Sequence, residues 1–234
     1  MTHDQQNAAP LAGLDRVNCG MRSRFIASVF ALAVVTVGTM SARADQGGSP
    51  SAKTVSRSGI PYKPDGDQAG PKDLLDAIRA RRPGGKLLNL DRMLLHSASF
   101  AKGWNGMFAA IRGQLAVPAK LRELTIMAIG ALNQADYEWV QHEKEFLKAG
   151  GTEAQLAALK NVSAAIKNTK LFDESERATL ALTDEMTRSI KVSDATMRRI
   201  RKLLPDDQVV ELIGTIAGYN MVSRFVVATG VEVE

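Results

Sequence analysis

Residues Arg122–Glu143 read RELTIMAIGALNQADYEWVQHE, and this stretch decides the fold. Leu121, Leu124, Met127, Ala128, Ala131 and Leu132 recur at intervals of three and four. That spacing puts them on one face of a helix, starting at Pro118, a good first residue, and running to about Asn133. Gln134-Ala135-Asp136 interrupts the pattern. A second helix follows from about Tyr137 to Lys148, and Ala149-Gly150-Gly151 closes it. The two helices carry two acids, Glu123 and Glu138, one histidine, His142, and two large aromatics, Tyr137 and Trp139.

Outward from this pair the pattern stays helical. Upstream, Asp73–Arg82 carries Leu74, Leu75 and Ile78 on one face and stops at Pro83-Gly84-Gly85. Asn89 can cap a helix with Leu90, Met93 and Leu94, and Ser97 or Ser99 one that runs to Gly113. Downstream, Thr152-Glu153-Ala154-Gln155 and Asp173-Glu174-Ser175-Glu176 are capping-box patterns. Ser193 caps a helix ended by Pro205. The last helix, about Asp207–Ala228, reads as apolar on nearly all sides, which predicts a central or subunit-interface position. No run alternates with period two, so the domain is expected to be all-α, over residues 73–234.

The chain has 234 residues, 45% of them hydrophobic and 24% charged, which is ample for a packed core. Residues 21–44 look like a secretory signal peptide. Arg22 and Arg24 precede an uncharged run, Phe25–Val37, and Ala42-Arg43-Ala44 is an A-x-A cleavage pattern. The run is shorter than the roughly 20 residues a bilayer-spanning helix needs. Translation from Met1 or from Met21 both stay open. The expected product is periplasmic or secreted, with no membrane segment after cleavage. Residues 45–72, rich in Gly, Ser, Pro and Asp, read as a flexible arm or linker.

Removing residues 1–44 takes away Arg16, Arg22, Arg24 and Arg43 along with Asp4 and Asp15. The net charge falls from +5 to about +3, too little to suggest nucleic acid binding. The single cysteine, Cys19, is lost with the leader. A mature chain without thiols excludes disulfides, thiolate metal ligands and cysteine redox catalysis.

Glu138 and His142 are four apart, hence neighbours on one helix face. A carboxylate beside an imidazole can fix its tautomer and raise its basicity, which suits general acid–base work. The bland alternative is a surface pair. Glu123 can face His142 if the two helices pack antiparallel, or else pair with Arg122 or Lys120 at the surface. Tyr137 and Trp139 point to different faces, one into the core and one towards a cavity or interface. Arg224, on the last helix, would need an anionic partner if buried, such as Glu123, Glu211 or a substrate carboxylate. His96 suits a capping or packing role. A metal site of Glu123, Glu138 and His142 is conceivable by ligand type, but no paired-histidine spacing accompanies it, and none is expected.

The segments REL-x-I and YEW-x-x-H, preceded by LLHSASFAKGWN and followed by GYNMVSRFVVATGVE, resemble the carboxymuconolactone decarboxylase family. That family includes the alkyl hydroperoxidase D proteins. The resemblance covers about residues 74–234. Its thiol branch carries Glu, then twelve on a Cys, three further a Cys, and four further a His. Counted from Glu123, those positions here are Ala135, Glu138 and His142. Both cysteines are absent, so the resemblance does not extend to peroxidase or disulfide-reductase chemistry.

The decarboxylase branch is the similar one. It implies cofactor-free loss of CO2 or lactone conversion on a small carboxylate or lactone, and a homotrimer or hexamer. By this resemblance His142 is the proton donor and Glu138 or Glu123 sets its charge state. Arg224 or His96 holds a carboxylate, with Trp139 and Tyr137 as walls. A non-catalytic ligand-binding or assembly protein on the same scaffold is the alternative.

Overall fold

The computed structural model describes residues 54–234. The leader over 21–44, Cys19 and the first part of the arm lie outside the described residues. The described chain is all-α apart from one isolated bridge, Val55 to Pro61. Its ten α-helices are α1 (Lys72–Arg79), α2 (Asn89–Leu94), α3 (Ala98–Gly113), α4 (Ala119–Leu132), α5 (Asp136–Lys148), α6 (Glu153–Leu159), α7 (Val162–Ala165), α8 (Glu174–Ser189), α9 (Asp194–Leu203) and α10 (Asp206–Thr229).

The expected caps explain most of these starts. Ser97 Oγ accepts from Phe100 N–H at the start of α3. Thr152 and Gln155 bond each other's backbone N–H at 3.2 Å, and Asp173 and Glu176 do the same at 2.8 and 2.9 Å. Asn89 is a correction. It is the first residue of α2, and the side chain closing that turn is Asp91, which accepts from Leu88 N–H at 2.9 Å. Asn89 instead donates its backbone N–H to Glu234 and its amide to the Glu232 carbonyl.

The central helix is α4, not α10. Leu124 through Ile129 are fully enclosed, and α4 packs against α5, α8 and α10. Helix α10 buries Leu212, Ile216, Tyr219, Val222 and Val226 on one face, but leaves Val210 67% and Val227 56% exposed. Its sequence reads as apolar all round because Gly214, Ala217 and the valines on the open face count as apolar without being enclosed. The arm is also more ordered than its composition suggests. From Thr54 on it packs against the chain: Arg57 N–H bonds the Gly230 carbonyl, Tyr62 OH accepts from Glu232 N–H, and Tyr62 and Ala69 are buried.

One glycine sets a tight tolerance. A Cβ on Gly151, at the close of α5, would lie 2.3 Å from the ring of Phe146, itself fully buried. Gly151→Ala is therefore expected to cost about 1–3 kcal/mol through overpacking, read as a lower urea midpoint at unchanged m-value.

Candidate active site

The antiparallel turn from α4 into α5 brings Glu123 and His142 together. Gln134 takes a left-handed conformation (φ 53°) at this turn, and Ala135 N–H closes onto the Gly130 carbonyl. Glu123 Oε2 and His142 Nδ1 are 2.8 Å apart and both side chains are buried. The second Glu123 oxygen accepts from Arg122 Nε at 3.2 Å. Burial pushes the Glu123 carboxyl up, but the His142 hydrogen bond and the charges around it, including Arg122 and Arg112, bring it below its ordinary range. Burial likewise holds His142 below its usual pKa, against the opposing pull of Glu123. The pair therefore stands as carboxylate and neutral imidazole, with Nδ1–H donating to Glu123. The Nε2 lone pair is left for the pocket whose wall His142 forms.

Glu138 does not partner His142, as the four-residue spacing suggested. Its Oε2 accepts a hydrogen bond from Ser223 Oγ on α10. Its Oε1 is buried without a hydrogen-bond partner. Burial, only partly offset by Ser223, pushes the Glu138 carboxyl up to about 8. At neutral pH it is thus mostly a neutral acid, able to donate a proton from the unpartnered oxygen.

Both groups line one small cavity of about 50 Å³. Its buried floor includes Trp104, Phe108, Tyr137, Glu138, His142 and Tyr219. The His142 and Tyr219 rings meet edge to face, with centroids 5.2 Å apart. The more exposed lining residues are Arg81, Arg82, Leu88, Arg112 and Gln141. Arg82 is matched by Asp91 in a bidentate pair at 2.6 and 2.9 Å. Gln141 and Tyr137, with Asn89 N–H, hold the Glu234 carboxylate beside this pocket.

Of the residues singled out from sequence, Glu123, His142, Glu138 and Tyr137 come together. Trp139 does not. It lies on the opposite face of α5, donating to Glu143, with Lys160 Nζ 3.2 Å from its ring centroid. Arg224 is exposed and donates to the carbonyl and Oδ1 of Asn220 one turn earlier, so it needs no buried anion. Glu211, its other proposed partner, accepts from Val117 N–H. His96 is exposed and bonds the Pro61 carbonyl at 2.7 Å. Neither Arg224 nor His96 lines the pocket.

The residues that sequence reading missed are Ser223, Tyr219, Arg81 and Arg112. Tyr219, Val222 and Ser223 share a helix face by their three- and four-residue spacing, which was a usable signal. The arginines lie on α3 and after α1, and nothing in their local sequence separates them from solvated charges. Among the described residues no group of three or more His, Cys, Asp or Glu side chains is placed to hold one metal ion.

This arrangement defines a thiol-free helical pocket with an acid–histidine centre, and residues 98–185 match the model of the Carboxymuconolactone decarboxylase family. The fold matches solved structures of alkyl hydroperoxidase D-like proteins. An uncharacterized peroxidase-related protein from Silicibacter sp. TM1040 aligns at a TM-score of 0.62 and 17% identity, over 74% of this chain and 90% of that one. The alkylhydroperoxidase AhpD core of an uncharacterized peroxidase-related protein from Ralstonia eutropha JMP134 aligns at 0.56 and 18%, over 73% and 90%. The debrominase Bmp8, solved in complex with 2,3,4-tribromopyrrole, aligns at 0.59 and 16%, over 74% and 91%. At these identities the likeness is one of fold. A comparison with curated proteins gives no match.

Proposed function

We propose that this chain is an exported, cofactor-free acid–base catalyst acting on a small carboxylate or lactone, by decarboxylation or lactone conversion. The observation that carries this reading is Glu138, a buried, largely protonated acid whose Oε1 lacks a protein partner in the wall of a pocket shared with a neutral histidine. In a decarboxylation, the electrons of the breaking C–C bond stay on the substrate carbon as CO2 leaves. The carbanion or enolate then takes the proton from Glu138, and solvent returns a proton to the carboxylate. In lactone conversion, His142 Nε2 removes a proton and Glu138 supplies one to the oxygen that gains charge. The sequence expectation made His142 the donor. A neutral imidazole with Nδ1–H committed to Glu123 is better suited to accept.

The test uses the protein without residues 1–44, screened against lactone acids and β-keto acids for CO2 release or lactone loss. His142→Ala is expected to lower lactone-conversion turnover about 10²-fold or more. Unchanged turnover would remove His142 from the mechanism. No turnover on any acid would favour the binding or assembly reading.

Export and self-assembly belong to the same proposal. Residues 21–44 support export, and a fusion of residues 1–50 to a reporter active only outside the cytoplasm is expected to give signal. The open side of α10, with Val210 and Val227, and the exposed Phe100 and Met107 of α3 support a homo-oligomer. Light scattering is expected to give a mass of three or six chains, and a monomer would exclude this.

A further inference from the structure

We infer that Arg112, assisted by Arg81, is a built seat for a substrate carboxylate. The inference rests on the acid–base reading of the same pocket and names the class of substrate: a short carboxylate whose charged end stays bound while proton transfer occurs beside it. Three guanidinium groups, Arg81, Arg82 and Arg112, line the pocket. Only one carboxylate, Asp91, answers them by hydrogen bonding, and it is taken in bidentate fashion by Arg82. Arg81 spends one nitrogen on the carbonyl and Oδ1 of Asn105, both neutral acceptors. Arg112 makes no hydrogen bond or ion pair with any described residue, although it is only partly exposed and lines the pocket.

Two of the three guanidinium groups at the more open side of the cavity therefore have no carboxylate bonded to them. Arg81 lies within reach of the charges of Arg82 and Arg112, and after burial these neighbours depress its pKa. Like charges gathered beside a partly buried cavity repel unless an anion joins them. The guanidinium fork matches a carboxylate in bidentate geometry. Behind the arginines stand Trp104, Phe108, Tyr219 and Val222, an apolar wall for the body of the ligand. Arg112 also acts electrostatically on both Glu123 and His142, so an anion on it sits within reach of the proton-transfer groups. The carboxylate held here is one that remains on the substrate. A carboxylate lost as CO2 needs an apolar surrounding instead, and the aromatic floor supplies it.

The cavity admits only a small ligand, so the probe is crotonate, with neutral crotonamide and inorganic phosphate as controls. Binding to the purified protein is read by ligand-observed NMR and by the fluorescence of Trp104 in a Trp139→Phe background. Crotonate is expected to bind, and crotonamide about 10-fold or more weaker, the loss typical of a charge-assisted hydrogen bond. Arg112→Ala should weaken crotonate about 10- to 100-fold while leaving crotonamide unchanged. Arg112→Lys should recover part of the loss, and Arg224→Ala should change nothing. Circular dichroism and the urea midpoint check that Arg112→Ala is folded. Equal binding of crotonate and crotonamide, or unchanged affinity in a folded Arg112→Ala, would overturn the seat. Phosphate binding tighter than crotonate would overturn the carboxylate assignment. Because binding is read without turnover, a seat that passes with no catalysis sinks only the catalytic proposal, and catalysis that survives Arg112→Ala sinks only the seat.

Discussion

Glu138→Gln is expected to abolish proton donation in the pocket and, at the same time, to make the fold more stable at pH 8. The two effects share one cause. The Glu138 side chain is buried against Ser223 and carries no charge partner, so burial raises its pKa from the ordinary value of 4.5 to about 8. The folded state therefore holds this proton more tightly than the unfolded chain does. Between about pH 4.5 and pH 8 unfolding releases a proton, so stability falls as the pH rises through that window. The total loss is on the order of a few kcal/mol, at about 1.4 kcal/mol per pKa unit. Glutamine keeps the Ser223 hydrogen bond, cannot ionise, and removes this slope.

Urea denaturation at pH 5.5 and pH 8 reads the stability difference. The wild type should lose stability between the two, and Glu138→Gln should lose less. Turnover should fall about 10²- to 10⁴-fold in the variant, the usual worth of a positioned acid. In the wild type, turnover should also decline as the pH passes about 8 and the acid ionises. A variant that loses activity but shows the wild-type stability slope would mean that Glu138 is not protonated in the fold.

How much of this was readable beforehand varies with the kind of contact. Capping boxes at Thr152 and Asp173 are local, so short-range pattern fixed those helix starts. The Glu123–His142 contact is long-range. It could be stated as a consequence of antiparallel packing, but spacing alone equally allowed a surface pairing with Arg122. In the structure Glu123 has both partners, one on each oxygen. The Glu138–His142 neighbourhood misled because sharing a helix face does not bring side chains into contact. Ser223, on a distant helix, competes for Glu138 and wins. Arg224 misled for a related reason. Its helix was read as enclosed because the residues around it are apolar, yet its own face is open, and an open arginine needs no anion. Arg112 could not be found from sequence, because its distinction is an absence of partners. Only the assembled fold shows that.

Glu123→Ala should destabilise the fold by about 1–3 kcal/mol at pH 7. It leaves the His142 Nδ1–H buried without an acceptor and releases Arg122 from its partner. Glu123 and His142 also give the acid limb of the stability profile. The Glu123 pKa is depressed by its partners, so its contribution is present above the unfolded value and lost as the pH falls through the folded one. His142 is held neutral below its usual pKa, so it adds a cost as the unfolded chain protonates below about pH 6.5. Both effects have the opposite sign to that of Glu138, and stability is expected to peak between the two limbs. A double-mutant cycle with Glu123→Ala and His142→Ala measures the coupling. Because the double variant removes both the orphaned donor and the acceptor, its cost should fall short of the summed single costs by about 1–3 kcal/mol. Additive costs would mean that the buried contact carries no energy of its own, and Glu123 would then have no part in setting the tautomer on which His142 depends.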